Sequence, residues 1–123
     1  MQNNNLKNKA DLKGRAYIYA LDIIQFIDGL SNDFSVQIIS KQLLRSATSI
    51  GANIIEAQAG STKRDFTNFF NYALKSANES KFWLGLLRDS AKADKNKVDE
   101  LLKETTELAN ILGSSILTLR GRK

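Results

Sequence analysis

The chain has 123 residues, a formal net charge of +5 and 42% hydrophobic residues, and it lacks cysteine, histidine and proline altogether. That length suits one domain with one modest core. Without cysteine there is no disulfide, thiolate nucleophile or zinc–thiolate site, and without histidine the usual neutral-pH general base and the commonest metal ligand are gone. Catalysis would rest on carboxylates and lysines alone, so the expectation is a non-enzymatic protein with no cofactor and no metal site. Residues 1–9, MQNNNLKNK, lack the apolar core of a signal peptide. No apolar run approaches the roughly 20 residues of a membrane span, so a soluble cytoplasmic protein without membrane contact is expected.

The absence of proline favours long helices, and apolar residues spaced three and four apart predict four of them. The first runs from about Asp11 to Gly29, with Ala16, Tyr19, Ile23, Ile27 and Leu30 on one side. SNDFS then reads as a turn capped by Asn32 or Asp33. The second helix, about Phe34 to Ala59, gathers Val36, Ile39, Leu43, Ala47, Ile50, Ile54 and Ala57 within about 80° at 100° per residue. The third, about Lys63 to Ala91, carries Phe66, Phe69, Phe70, Ala73, Ala77, Leu84 and Leu87. The fourth, about Lys95 to Leu119, uses Val98, Leu101, Leu102, Leu108, Leu112, Ile116 and Leu119. Four helices of 19 to 29 residues with short connections predict an all-α fold, an antiparallel up-down four-helix bundle. It forms a single domain over 1–123, with 1–10 and 120–123 expected as flexible tails.

The stretch SIGANIIEAQAGSTKRDF, residues 49–66, forms the corner between the second and third helices. Gly60 is expected as a left-handed stop, and Thr62 followed by Asp65 resembles a capping box with Asp in the Glu position. Arg45, Ser49, Asn53 and Glu56, spaced 4, 4 and 3, line one face of the second helix away from its apolar stripe. This face is either solvated or a polar seam, with Glu79, between packed helices or subunits; local spacing supplies no second acid or base for catalysis. Beside the main stripes, Leu44, Gly51 and Ile55 form a second apolar strip, as do Tyr72, Trp83 and Leu86 on the third helix. A glycine inside a helix costs about 1 kcal/mol against alanine, which suits close approach of another backbone or a ring. These six residues are expected at a homo-oligomer interface, unless the first helix wraps far enough to cover them.

Residues 43–87 carry a family resemblance in Arg45, Ser49-Ile50, Asn53-Ile54-Ile55-Glu56, the Ser61–Arg64 turn, Phe66, and Glu79 with Trp83-Leu84. This pattern resembles the four-helix-bundle proteins encoded in intervening sequences of 23S ribosomal RNA genes. Ala57 departs from it, since many members have Gly after the Glu. The resemblance implies an up-down bundle that assembles into a ring of five. The related accessory variability proteins of diversity-generating retroelements use such a ring to bind nucleic acid and a reverse transcriptase.

An up-down bundle places the N-terminus, the 59–63 corner and the C-terminus at one end. That end collects Lys7, Lys9, Lys13, Arg15, Lys63, Arg64, Arg120, Arg122 and Lys123 against Asp11, Glu56 and Asp65, a balance of +6, while the remainder sums to −1. Polarised positive charge attracts polyanions, so RNA or DNA is a candidate partner, held by its phosphates with weak sequence preference. Lys7, Lys13, Arg15, Lys63, Arg64, Arg120, Arg122 and Lys123 are the candidate contacts. Solvated tails are the plainer reading of the same charges. The other functional reading is a protein–protein interaction scaffold in which the basic end is incidental.

Overall fold

The computed structural model describes residues 11–60 and 62–121, and these residues form four helices: α1 Leu12–Asp28, α2 Phe34–Ala59, α3 Lys63–Asp89 and α4 Lys95–Arg120. Three starts are capped by a side chain that accepts a backbone N–H three residues on. Asp11 takes that of Gly14 at 2.8 Å, Thr62 that of Asp65 at 3.0 Å and Asp94 that of Lys97 at 2.9 Å. Asp33 occupies the cap position of α2, but its side chain makes no capping bond. Its carboxylate instead accepts from Lys92 Nζ at 2.9 Å, which ties the α1–α2 turn to the α3–α4 turn. The lysine hydrogen bond holds the Asp33 carboxyl below its ordinary range.

The left-handed stop is not where the sequence places it. Gly60 has φ −69° and ψ 149°, an extended conformation open to any residue. Left-handed backbone appears at Ala91, with φ 60°, two residues past the end of α3. There Ala91 N–H donates to the Arg88 carbonyl and Lys92 N–H to the Leu87 carbonyl, each at 3.0 Å. This paired closure satisfies two carbonyls that the helix end leaves open. It explains why α3 ends before Ala91, the predicted boundary.

Each helix packs on its neighbours in the order α1–α2–α3–α4–α1, most extensively between α2 and α3 and least between α1 and α4. Leu12, Gln58, Phe66 and Leu119 line one cleft at one end of the bundle, while Lys92 and Asp33 join two turns at the other. These two shared ends are what an up-down order of helices produces. The core holds the predicted stripes, with Tyr19, Ile23, Leu43, Ile50, Ile54, Leu84, Leu108 and Leu112 fully buried. Phe26 joins them, and Ile39, Phe66, Phe69, Leu102 and Leu119 sit half-buried at their margins. No described helix is long and apolar enough to cross a membrane.

The centre is not wholly apolar. The Tyr19 and Thr105 hydroxyls lie 2.7 Å apart, those of Ser46 and Ser80 2.8 Å apart, and all four residues are fully buried. Thr105 Oγ1 also lies 2.7 Å from the Leu101 carbonyl, which can only accept. Thr105 therefore donates there and receives the Tyr19 proton. Burial pushes the Tyr19 phenol up to about 12, against the opposing effect of its hydrogen bond with Thr105.

Two outcomes follow. Alanine in left-handed backbone costs about 1 kcal/mol that glycine avoids, so Ala91→Gly should stabilise the fold by about that amount, read from the urea midpoint. Tyr19 ionises near 10 in the unfolded chain, so its contribution is complete below pH 10 and is lost as pH rises toward 12. The loss amounts to about 2–3 kcal/mol over that window. Alkaline unfolding curves should show this extra slope in the parent and not in Tyr19→Phe.

Candidate functional site

The basic end is built by three chain segments: the start of α1, the α2–α3 corner and the last turn of α4, which border one cleft. Lys13, Lys63, Arg64 and Arg120 are exposed there. Lys63 and Arg64 occupy the first turn of α3, where the helix dipole is positive, and Asp65 offsets part of that field. Lys7, Lys9, Arg122 and Lys123 lie outside the described residues, as does Ser61 of the corner.

Arg15 behaves differently from its sequence assignment. Its Nη2 lies 2.8 Å from Glu104 Oε1 and 3.3 Å from Glu107 Oε2, and its Nε donates to Glu104 Oε2 at 3.3 Å. Glu104 is buried, so this forked pair is what allows a carboxylate into the α1–α4 seam. The Glu104 hydrogen bond raises the Arg15 pKa further. Arg15 is thus a structural cation, already engaged by two carboxylates, and leaves the set of candidate phosphate contacts. Sequence spacing could not pair it with residues about ninety positions away.

The two ends differ in how their charges are answered. At the far end Lys92 meets Asp33 at 2.9 Å, Lys95 meets Asp99 at 2.6 Å, and Arg88 meets Asp99 at 2.8 Å and Asp89 at 2.9 Å. Asp99 is held below the ordinary carboxylate range by Lys95 and Arg88, and Asp89 by Arg88. Among the described residues Lys13, Arg64 and Arg120 have no such carboxylate. The positive field is therefore least compensated at the end where the three segments meet.

The predicted polar seam divides. Glu79 Oε2 accepts from Arg45 of α2 and from Trp83 Nε1 of its own helix, the latter at 2.8 Å, so Arg45, Glu79 and Trp83 form one cluster across the α2–α3 seam. Asn53 instead donates to the Ser49 carbonyl at 2.8 Å on its own helix. Glu56 is exposed and takes no part in the cluster.

The apolar strips do not form one surface. Leu44, Gly51 and Ile55 share the α1-facing edge of α2, and an added Cβ at Gly51 would meet the Ala16 Cβ at 3.5 Å. The close approach inferred at Gly51 is therefore that of α1 within the same chain, which removes the reason for assigning it to a subunit interface. Leu44 and Ile55 nevertheless stay exposed, at 37% and 51%. Tyr72, Trp83 and Leu86 lie on α3 beside Glu79, on the flank toward Arg45. Trp83 is half-buried against the core, with Phe82 edge-on to it at 4.9 Å. Tyr17, Leu21 and Ile24 of α1, together with Ile38 and Phe82, are exposed apolar residues that the sequence reading missed. Their solvent exposure depends on how far each neighbouring helix reaches. Among the described residues no group of acidic side chains is arranged to hold a metal ion.

Comparison with known proteins supplies a frame for this geometry. The sequence matches the family described as 23S rRNA-intervening sequence protein over residues 8–114. A solved structure from Bacteroides thetaiotaomicron, a protein with unknown function from the S23 ribosomal protein family, is 37% identical and superposes with a TM-score of 0.81. The match covers 86% of this chain and 98% of that one. No curated protein matches the sequence.

The divided seam yields a contrast that thermal unfolding can read. Glu79→Ala strands Arg45 and the Trp83 N–H, and because the cluster is part-exposed the loss should be about 1 kcal/mol. Glu56→Ala should stay within about 0.5 kcal/mol, as expected of a solvated side chain.

Proposed function

The chain belongs to the 23S rRNA-intervening sequence protein family, and we propose that it is a non-enzymatic accessory protein that assembles with copies of itself and holds nucleic-acid phosphates at its basic end. One observation carries the binding half of this reading. Arg88, Lys92 and Lys95 at the far end are answered by aspartates, whereas Lys13, Arg64 and Arg120 at the shared end have no carboxylate among the described residues. Such cations displace condensed counterions from a phosphate backbone, which contributes affinity without reading bases. Lys63, beside Arg64 on the first turn of α3, adds to the same field. Assembly into a ring would repeat this end around an axis and raise its local potential. Exposed Leu44, Ile55, Tyr72 and Leu86 support contacts between copies.

Replacing Lys63 and Arg64 with Glu changes the charge of each subunit by −4 and touches no buried residue. Light scattering should report the same particle for parent and variant. Affinity for a single-stranded RNA or DNA oligomer should fall by roughly tenfold or more at low salt, with a shallower dependence of log K on log salt. Equal binding by the variant, or no binding by the parent at moderate salt, would reduce the basic end to solvated charge. An apolar protein partner, whose docking is insensitive to salt, would then be the better reading.

A further inference from the structure

α1 and α4 are neighbours that no short turn joins, and theirs is the least extensive of the four helix contacts. What crosses that seam is polar. Tyr19 Oη lies 2.7 Å from Thr105 Oγ1, and Arg15 reaches Glu104 and Glu107 one turn away. On the far side of the core, Ser46 of α2 and Ser80 of α3 bring their hydroxyls to 2.8 Å. Each helix thus contributes one hydroxyl, and all four residues are fully buried.

The apolar surface around these hydroxyls is repetitive. Ala73 and Ala77 on α3 are small groups one turn apart, Ala47 and Ala57 add two more small positions on α2, and Ala16 packs against Gly51. Side chains of like size fill like grooves, so such faces discriminate weakly between one alignment and another displaced by a turn. The Tyr19 phenol discriminates most strongly, because a displaced one is left without an acceptor in a dry core. A displaced serine or threonine keeps its own-helix carbonyl and loses the bond between helices. Thr105 and Ser80 also lie within hydrogen-bond distance of carbonyls of their own helices, at 2.7 and 2.9 Å, so neither hydroxyl is free to swing toward a new neighbour.

We propose that Tyr19, Ser46, Ser80 and Thr105 form a register layer, a buried hydrogen-bonded set that closes α1 on α4 and selects one alignment of the four helices. The layer concerns which bundle forms, and it stands independently of what the basic end binds.

The test separates stability from uniqueness. The variant Tyr19→Phe, Ser46→Ala, Ser80→Ala, Thr105→Val removes every hydroxyl together with its partner and leaves nothing unpaired, so its thermal midpoint should be unchanged or higher. The chain has no cysteine, so spin labels at Gln25→Cys on α1 and Lys103→Cys on α4, both exposed, report the seam cleanly. Labelled protein diluted into an excess of unlabelled protein suppresses distances between copies. With the layer intact a single narrow distance is expected. Without it, a broadened distribution or a second population displaced by about 5 Å, one helical turn, is expected, with loss of dispersion in the amide spectrum. A single narrow distance and a dispersed spectrum in the apolar variant overturn the proposal. If that variant does not fold, Tyr19→Phe with Thr105→Val, which empties only the α1–α4 side, gives the reading. Broadening at that seam supports the layer, and an unchanged distance overturns it.

Discussion

A dry helical core tolerates a hydroxyl or a carboxylate only where a partner has been placed for it, and the described residues bury four paired hydroxyls and one carboxylate in a single small bundle. The rest of the structure is arranged around satisfying them. Serine and threonine can return a proton to their own helix, as Thr105 does to the Leu101 carbonyl, which leaves the second valence of each oxygen for a neighbouring helix. Tyr19 has no such local acceptor at the tip of its ring, so its phenol is positioned by α4. Ser40 is the exception: its buried hydroxyl has no partner among the described residues and borders the cleft beside the α1–α2 turn.

The same accounting removes Arg15 from the surface. Glu104 can be buried only while a cation answers it, and Arg15 supplies two of its five donors in the fork that a carboxylate accepts. A charge that appears in the sequence as one more member of a basic end is thus consumed in holding α1 against α4. Net charge counted along a chain overstates the free field wherever the fold brings a carboxylate across.

Placement of the aspartates decides the polarity of the molecule. Asp33, Asp89 and Asp99 cluster around the two turns at the far end and answer Lys92, Arg88 and Lys95 there. Their partners keep them ionised to lower pH than an isolated carboxylate. Asp33 could have capped α2 and instead spans two turns. The reason is geometric: the long lysine stem from Lys92 reaches a carboxylate that would otherwise fold back onto its own amides. At the shared end Lys13, Arg64 and Arg120 lie at helix termini with no such carboxylate among the described residues.

The four helices, their lengths and their apolar stripes were legible because amphipathic periodicity is a local property. Without proline nothing interrupted the pattern, and the observed ends fall within two residues of the expected ones. The cap at Thr62 was legible for the same reason: a cap is made by residues three apart. Four features required the tertiary structure, namely the pairing of Arg15 with Glu104, the approach of Ala16 to Gly51, the division of the polar seam and the left-handed turn at Ala91 rather than Gly60. Each depends on which side of a helix faces which neighbour, or on how a turn must bend to bring that neighbour in. Periodicity states that a face is buried, and only packing states against what. By itself, then, the sequence determined a four-helix bundle with an excess of positive charge. Tertiary structure alone decided which of those charges remain unanswered, because an ion pair is a distance in space and has no period along the chain.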